Sequence, residues 1–345
     1  MTYALIGCSR ISVNHVRAAV ACGLEIVALC DLSDERMDFI ANEFGLGGVL
    51  RFTDHRRMLE KVTPDLAAIT TPSGSHAEIA VDCIESGVHL IIEKPIALSL
   101  ADADRIIAAA AARGVWVSAC HQNRFNASVQ KVKKAVDDGR FGKLYHGTAH
   151  IRWNRGEDYY KQAAWRGTWE QDGGALMNQC IHNIDILRWL MGDDIIEVVG
   201  MTDRLAHEYI EAEDLGLALV RFGNGAYGVI EGTTNVYPNN LEEVFYIFGE
   251  KGTVKATGKS VEEWRFADGA EDKGLAEPLL TGHSALYSDV CDAIRSGRPP
   301  LVDALAGRRA IELVLAIYKS AALGVSVKLP LTDCATGDFL GRFDR

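Results

Sequence analysis

The sequence predicts an α/β protein with an N-terminal doubly wound parallel sheet and a C-terminal α+β domain that carries a large, mostly antiparallel sheet. Up to about residue 122, short β-branched runs alternate with helical segments of roughly 10–15 residues, which is typical of a parallel sheet covered by helices. Beyond that point, apolar residues alternate with a period of two, and turn signals such as Gly223-Asn224-Gly225 separate the runs. We therefore expect two domains, residues 1–122 and 123–345.

The composition excludes several classes of protein. The 345 residues are 48% hydrophobic and 24% charged, as in ordinary globular proteins, and no apolar run approaches the length that crosses a bilayer. The net charge of −11 argues against binding to nucleic acid or to an anionic membrane, because both need a basic surface. Eight scattered cysteines without a C-x-x-C pair indicate reduced thiols and no metal site. Because the N-terminus also lacks a secretion signal, we expect a cytoplasmic protein.

The first elements of the chain predict a nucleotide site. An apolar strand over 3–6 leads into the small-residue turn Gly7–Ser12, and a second buried strand over 25–30 ends at Asp31. This is the order of a Rossmann dinucleotide-binding unit, in which pyrophosphate approaches backbone N–H groups and the acid accepts from ribose hydroxyls. Asp31 favours NAD over NADP, because a carboxylate repels a 2′-phosphate. The alternative interpretation is any βαβ unit with a small-residue turn.

The later strands of the first domain bring further polar residues to the same edge. We expect strands over 66–70, 88–92 and 115–119, followed respectively by Thr71–His76, by Glu93-Lys94-Pro95 and by His121-Gln122. In a doubly wound sheet, ligands bind at the carboxyl ends of the strands. The predicted cofactor-binding residues are Gly7, Ser9, Arg10, Ile11, Asp31, Thr71, Pro72, Ser73, His76, Glu93, Lys94 and Gln122.

The second domain is predicted from period-two runs and turn signals. Strands are expected over about 143–151, 195–206, 214–222, 226–235 and 244–249. Gly249–Gly252 is predicted to be a tight hairpin turn, and a polar loop is expected over 267–282. Helices over 284–296 and 305–323 are expected to follow.

The stretch Asp172–Asp185 concentrates polar groups in the second domain. Its Gly-Gly pair is followed by a long run without a helix breaker, so we expect a helix from about Ala175. On that helix Asn178, His182 and Asp185 would share one face, while apolar residues cover most of the rest. Buried polar groups need partners, so these three residues either satisfy neighbouring backbone or face a polar cavity. Three polar residues in one stripe behind a Gly-Gly turn favour the cavity.

The loop over residues 152–169 mixes four cationic side chains with five aromatic rings. Such a mixture suits a sugar nucleotide, because rings stack on uracil or sugar faces and Arg binds carboxylate or diphosphate in bidentate fashion. Tyr159 and Arg166 are the predicted ligand residues. Packing between domains is the alternative role for such a loop, above all for Trp153 and Trp169.

Five pieces of this sequence resemble the motifs of the Gfo/Idh/MocA oxidoreductase family, and the resemblance covers essentially the whole chain. These pieces are Gly7–Ser12, Thr71–His76, Glu93-Lys94-Pro95, Gly173-Gly174 and His182-x-x-Asp185. Glu-Lys-Pro followed by Gly-Gly and His-x-x-Asp is much more specific than the glycine turn. The segments Ala164–Trp169 and Asp172–Asp185 together are similar to the UDP-N-acetylglucosaminuronate (UDP-GlcNAcA) 3-dehydrogenase branch of the family.

The resemblance implies an NAD-dependent enzyme that oxidises the C3 hydroxyl of a UDP-sugar uronic acid in bacterial surface-polysaccharide (O-antigen) biosynthesis. It also implies that 2-oxoglutarate could reoxidise the bound NADH, as in some members of this branch. Gln122 and Arg124 match a family segment that lines the substrate pocket. Two residues depart from the family pattern: Ser9 replaces a glycine, and Asn178 stands where inositol dehydrogenases carry Asp. A carboxylate–imidazole dyad through position 178 is therefore excluded.

Oxidation of a secondary alcohol needs a hydride acceptor, a base and a donor that stabilises the developing alkoxide. Lys94 could stabilise the alkoxide or take the proton, and His182 is the predicted base. Asn178 would hold the imidazole or a sugar hydroxyl, and Asp185 would orient His182 or the sugar, or else pair with backbone or Arg188. The predicted catalytic residues are thus Lys94, His182, Asn178 and Asp185, and the predicted substrate-binding residues are Lys94, Arg124, Tyr159, Arg166, Asn178 and His182.

Other functions stay open at this point. The same residues could serve a dehydrogenase of another sugar or of inositol, or a glycosidase that oxidises C3 only transiently with tightly held NAD. A non-enzymatic NAD-binding regulator is the third hypothesis, and the presence of Lys94 and His182 argues against it. We also expect a homo-oligomer, a dimer or tetramer, because an exposed sheet face in the second domain would favour aggregation of a single chain.

Overall fold

The computed structural model describes residues 1–269 and 280–344. Most of the polar loop predicted over 267–282 therefore lies outside the described residues. The elements of the first 122 residues are, in order, β1 (Thr2–Ile6), α1 (Ser12–Ala21), β2 (Glu25–Cys30), α2 (Asp34–Glu43), β3 (Leu50–Phe52), α3 (His55–Lys61), β4 (Leu66–Ile69), α4 (His76–Glu85), β5 (His89–Ile92), α5 (Leu100–Arg113) and β6 (Val117–Ala119).

The rest of the chain contains five α-helices, one π-helical turn and eight strands among the described residues. They are, in order, α6 (Ala127–Asp137), β7 (Leu144–Arg152), α7 (Glu157–Lys161), a π-helical turn (Leu176–Cys180), α8 (Ile181–Met191), β8 (Ile195–Asp203), β9 (Leu215–Phe222), β10 (Tyr227–Thr233), β11 (Glu242–Gly249), β12 (Gly252–Ala256), β13 (Val261–Phe266), α9 (Gly282–Ser296), α10 (Ala304–Leu323) and β14 (Val327–Lys328). Among the helices of the described ranges, none combines the length and apolarity that a membrane crossing requires.

The first compact unit contains Met1–Ala97, Ala101–Gln122 and Leu280–Arg308, and the second contains the remaining described residues. Helix α9 thus belongs to the first unit, although it follows the second sheet in the sequence. It packs along α1. Composition and periodicity could not predict that α9 belongs to the first unit. They indicate whether a segment is helical and which of its faces is apolar, but not which sheet it covers.

A six-stranded sheet with the order β3-β2-β1-β4-β5-β6 forms the centre of the first unit. Every strand pair in it is parallel, as predicted. The last residues of neighbouring strands are paired with each other: Ile6 with Ile69, and Ile69 with Ile92. Because these strand ends are aligned, the residues that follow them lie along one edge of the sheet.

An eight-stranded sheet with the order β13-β12-β11-β7-β10-β9-β8-β14 dominates the second unit. Its pairs are antiparallel except for β10 with β7, so the predicted mostly antiparallel sheet is confirmed. The turn Gly249–Gly252 joins β11 to β12 as expected. The short strands β3, β13 and β14 were not predicted, and β12 was implied only by the hairpin turn that precedes it.

Strand β8 ends at Asp203, three residues earlier than predicted. The reason is a carboxylate: Asp214 accepts hydrogen bonds from the amides of Leu205, Ala206 and His207 at 3.0, 2.7 and 3.0 Å. These amides are therefore turned towards a side chain and cannot continue the ladder.

Candidate active site

The turn Gly7–Ser12 approaches the neighbouring strand so closely that only glycine fits at its first position. Gly7 has φ +94°, and a Cβ there would lie 2.7 Å from the carbonyl carbon of Thr70. Ser9 donates its hydroxyl to the carbonyl oxygen of Thr70 at 3.2 Å. Helix α1, which follows, has neither a capping side chain nor an acidic residue in its first turn. Its dipole and amide groups therefore favour an anion such as a phosphate.

Asp31 lies beside this turn. Its carboxylate accepts from the amide of Cys8 at 2.6 Å and from the amide of Ser33 at 2.9 Å. These contacts hold the acid at the end of β2, where the dinucleotide interpretation requires it. The guanidinium of Arg36 lies 3.8 Å from the carboxylate but is 62% exposed. The fit to NAD thus rests on a glycine-only turn, an uncapped helix and a fixed acid.

His76 supports the loop Thr71–His76 from within. The ring is buried, with Nδ1 at 2.8 Å from the carbonyl oxygen of Pro95 and Nε2 at 2.9 Å from that of Thr71. Burial lowers the pKa of His76, against the effect of the two carbonyl contacts, which favour the protonated ring. The side chain of this predicted cofactor residue thus connects two loops of the rim.

Glu93 is also occupied by protein groups. One carboxylate oxygen lies 2.8 Å from Nε2 of His15, and the other accepts from the amide of Lys94 at 3.0 Å. The ring of His283 lies 3.6 Å away. His15 and His283 were missed by the sequence analysis, because they are distant in the sequence and a single His in an apolar helix is usually structural.

In the second unit, Gly173-Gly174 allows a buried acid to approach the helix start. Gly174 has φ +94°, and a Cβ there would lie 1.8 Å from a carboxyl oxygen of Glu213. The other oxygen accepts from the amide of Leu176 and the hydroxyl of Tyr318, both at 2.7 Å. Burial raises the pKa of Glu213 to about 8. Gly174 must therefore be a glycine because the Glu213 carboxyl group occupies the space that a side chain would need. The sequence analysis did not single out Glu213.

The helix in the stretch Asp172–Asp185 does not begin as the α-helix that we expected from Ala175. A π-helical turn spans Leu176–Cys180, and the α-helix begins only at Ile181. The wider turn shifts the angular positions on which the one-face argument depended, so that argument holds only for His182 and Asp185. Single π turns inside helices are frequent at functional sites, and no residue pattern predicts them.

Asn178 lies in the π turn within a polar network. Its amide nitrogen donates to the carboxylate of Asp172, and its oxygen accepts from Gln179 at 2.5 Å. The amide nitrogen of Gln179 also contacts the hydroxyl of Tyr159 at 2.8 Å. Asp172 is itself fixed by the amide of Gly167 at 2.7 Å. The structure thus brings two predicted site residues, Asn178 and Tyr159, into one network.

Asp185 forms a buried ion pair. Two parallel hydrogen bonds of 2.6 Å join its carboxylate to Arg124, and Arg188 contacts it at 3.1 Å. Asp185 and Arg124 are 0% and 3% exposed, and the guanidinium lies 4.9 Å from the ring centre of Trp189. The pairing with Arg188, one of the alternatives for Asp185, is present. Arg124, predicted to bind substrate, is held by a protein carboxylate.

The loop over residues 152–169 contains a cluster of cations around one ring. The guanidinium of Arg166 lies 4.0 Å from the centre of the Tyr159 ring, and that of Arg155 lies 5.4 Å from it. Arg155 also donates to Gln179 at 2.8 Å. Trp169, by contrast, is fully buried. The Tyr159–Arg155–Arg166 cluster can stack on a ring and pair with an anion.

Comparison with known proteins gives two family matches that together cover most of the chain. Residues 1–121 match the oxidoreductase family with an NAD-binding Rossmann fold, and residues 129–255 match the GFO/IDH/MocA C-terminal domain.

Solved structures and curated proteins agree on the fold. The WlbA dehydrogenase from Bordetella pertussis, in complex with NADH and UDP-GlcNAcA, is 38% identical and has a TM-score of 0.89, over 96% of this chain and 99% of that one. The WlbA enzyme from Chromobacterium violaceum, with the same two ligands, is 34% identical with a TM-score of 0.89, over 96% of both chains. Myo-inositol 2-dehydrogenase from Thermotoga maritima is 26% identical, over 95% of this chain and 98% of its own length.

Proposed function

This chain belongs to the Gfo/Idh/MocA family of oxidoreductases, whose cofactor here is NAD, and we propose that it oxidises the C3 hydroxyl of UDP-GlcNAcA. The observation that carries the proposal is the Tyr159–Arg155–Arg166 cluster, which offers a stacking ring and two cations in one loop. An inositol has no anionic group for such cations. The two WlbA structures support the same substrate, because they were solved with UDP-GlcNAcA.

The proposed reaction removes a hydride from C3 and a proton from its hydroxyl, and it yields the 3-keto sugar, NADH and one proton. NAD supplies the hydride acceptor when bound. Lys94 stabilises the negative charge that develops on the oxygen. His182 takes the hydroxyl proton, since an imidazole titrates in the useful range.

The remaining site residues hold substrate or shape the site. Asn178 presents its amide from a network that includes Asp172 and Gln179, and it binds a sugar hydroxyl. Arg166 and Tyr159 bind the uracil or the anionic groups of the nucleotide. Asp185 and Arg124 act together as a buried pair that fixes α8, on which His182 lies.

We further propose that the enzyme works in the cytoplasm in surface-polysaccharide biosynthesis and that 2-oxoglutarate reoxidises its NADH. In that exchange the hydride passes from NADH to the keto carbon, and the keto oxygen takes up a proton, which gives 2-hydroxyglutarate. NAD would then be regenerated without leaving the protein. The chain would function as a homodimer or homotetramer.

A substrate comparison tests the proposal. Purified protein is incubated with NAD and 2-oxoglutarate together with UDP-GlcNAcA or with myo-inositol, and the products are analysed by mass spectrometry. We expect UDP-sugar that has lost two hydrogens, together with 2-hydroxyglutarate. Oxidation of myo-inositol with unchanged UDP-GlcNAcA would contradict the proposal and would favour the second candidate, the inositol dehydrogenase that the 26% identical relative suggests.

A further inference from the structure

A buried chain of hydrogen bonds crosses the first unit and ends at the backbone of Lys94. The hydroxyl of Tyr3 lies 3.0 Å from that of Tyr287, which lies 2.8 Å from Nδ1 of His15. Nε2 of His15 lies 2.8 Å from one oxygen of Glu93, whose other oxygen accepts from the Lys94 amide at 3.0 Å. The four residues whose side chains form this hydrogen-bonded chain are at most 6% exposed.

The direction of each hydrogen bond in this chain is fixed. Burial disfavours the ionised form of Glu93, but the hydrogen bond from His15 and the His283 ring 3.6 Å away outweigh it, and the pKa of Glu93 lies well below its usual range. Burial lowers the pKa of His15, so the ring is neutral and has a single N–H. An ionised carboxylate only accepts, so Nε2 donates to Glu93 and Nδ1 accepts from Tyr287. The pKa of Tyr287 is raised by burial, which keeps its hydroxyl protonated.

Two successive members of the hydrogen-bonded chain, His15 and Glu93, belong to the two functional parts of the unit. His15 is on α1, the helix that follows the glycine turn of the dinucleotide site. Glu93 directly follows β5 and precedes Lys94. We propose that His15 is a positioning residue that couples dinucleotide binding at the Gly7–Ser12 turn to the placement of Lys94. The importance of Lys94 rests on the proposed function, whereas the coupling itself does not.

A bound metal ion is the competing interpretation of this cluster. Ligating atoms of His15, Glu93, Cys120 and His283 lie within 4.8 Å of one another. Both nitrogens of His15 already have partners, however, and burial raises the pKa of Cys120 well above its usual value. A metal would need the thiolate and would displace the hydrogen bonds. The hydrogen-bonded chain accounts for the cluster without such a change.

Hydrogen exchange at the Lys94 amide tests the coupling without any substrate. Pro95 has no N–H, so in a peptide ending at Pro95 the Lys94 amide is the last exchanging position. The variants are His15→Leu, which removes both contacts, and His15→Gln, whose amide can both donate and accept. His55→Leu is the matched control, because His55 lies 2.8 Å from the carboxylate of Asp82 in a pair on α3 and α4.

We expect His15→Leu to accelerate exchange at Lys94 by about tenfold or more, since a hydrogen bond to a charged group is lost or loosened. His15→Gln should restore most of the protection, and His55→Leu should leave exchange at Lys94 unchanged. NADH should slow this exchange in the wild type and fail to slow it in His15→Leu that still binds NADH.

Unchanged exchange at Lys94 in folded His15→Leu would overturn the coupling, as would a stoichiometric metal in the purified protein. If His15→Leu does not fold, Tyr287→Phe decides, because it removes the hydroxyl that donates to Nδ1 of His15 and pairs with Tyr3, and it keeps the buried ring. It should accelerate exchange at Lys94, and wild-type protection there would refute the proposal. If the protein did not turn over UDP-GlcNAcA, the proposed function would be wrong but the coupling would stand, since none of these measurements uses a sugar.

Discussion

Lys94 and His182 are the two residues to which the proposed chemistry assigns the proton and the developing negative charge. Lys94 follows β5 directly after Glu93, and His182 is the second residue of α8. Both side chains are partly exposed, as groups that meet a substrate must be. Composition alone assigns neither role; the strand-end position of Lys94, the polar stripe that contains His182 and the motif resemblance together predict them.

The first prediction concerns these two residues. Lys94→Met and His182→Asn should each lower kcat by about 100-fold or more, because each removes one group from the proton or charge transfer. The Kd for NADH, measured by fluorescence, should change little in His182→Asn. His55→Asn serves as the control and should keep wild-type kcat. Normal turnover in both variants would contradict the mechanism.

The second prediction separates the two arginines that the sequence assigned to substrate. Arg124→Met should destabilise the protein by about 3–5 kcal/mol, because it removes the bidentate partner of the buried Asp185 carboxylate. Arg166→Ala should instead raise the KM for UDP-GlcNAcA roughly 10–100-fold, as expected for a lost charge-assisted contact, with little change in Tm. Denaturant unfolding and steady-state kinetics measure the two effects. The reverse pattern would mean that the arginine roles are exchanged.

The third prediction concerns the acid beneath the Gly-Gly pair. The pKa of Glu213 is raised from 4.5 to about 8, so in that pH range the folded protein holds a proton that the unfolded chain releases. Stability contributed by this group therefore falls as the pH rises through that window. Glu213→Gln cannot ionise, so its Tm relative to wild type should rise between pH 5 and pH 9. Parallel Tm profiles would show that Glu213 does not titrate there.

At the scale of the element, the helix that carries His182 differs at its start from the regular α-helix that periodicity predicts. It begins with a π turn that follows Gly173-Gly174. Gly174 has φ +94° and would place a Cβ against Glu213. The apolar pattern correctly indicated a buried helix, since Leu176, Ile181, Ile184 and Leu187 are all 0% exposed. The pattern could not indicate where the turn widens, because the same side chains would be buried on either type of turn.

The fourth prediction tests this start of the helix. Gly174→Ala should cost more than about 1 kcal/mol, because a positive φ disfavours alanine and the new methyl group has no space. Gly337→Ala is the control, since a Cβ there has no neighbour within 4 Å and the backbone needs no positive φ. Urea unfolding compares the two. Equal stability of both variants would show that Glu213 moves aside freely.

At the scale of the whole molecule, the two sheets differ in how far they could be predicted. The parallel sheet followed from β-branched runs alternating with helices, and its aligned strand ends brought Gly7, Asp31 and Glu93 to one edge. The return of α9 to the first unit was not predictable, nor were His283 and Tyr287 as partners of His15. Such contacts between distant segments leave no local periodicity.

The second sheet also has an exposed apolar face. Met201, Leu219 and Tyr227 are 73%, 58% and 56% exposed on β8, β9 and β10. Monomeric proteins usually expose large apolar side chains singly, whereas these three lie together on adjacent strands. We infer that a second copy of the chain covers this face.

The fifth prediction follows from that inference. Met201→Asp combined with Leu219→Asp should convert the assembly to a smaller species, because two buried carboxylates would oppose association. Phe39→Asp is the control, since Phe39 is 57% exposed on helix α2 of the first unit. Sedimentation velocity gives the masses. An unchanged mass for the double variant would place the interface elsewhere.

The central claim is that hydride leaves C3 of UDP-GlcNAcA, and an isotope follows that atom directly. UDP-GlcNAcA carrying deuterium at C3 is incubated with the protein and NAD, without 2-oxoglutarate, and the protein is then denatured to release its nucleotide. Mass spectrometry of the released NADH should show one deuterium on the nicotinamide ring. NADH without deuterium, or no NADH from this sugar while the protein binds NAD, would contradict the account.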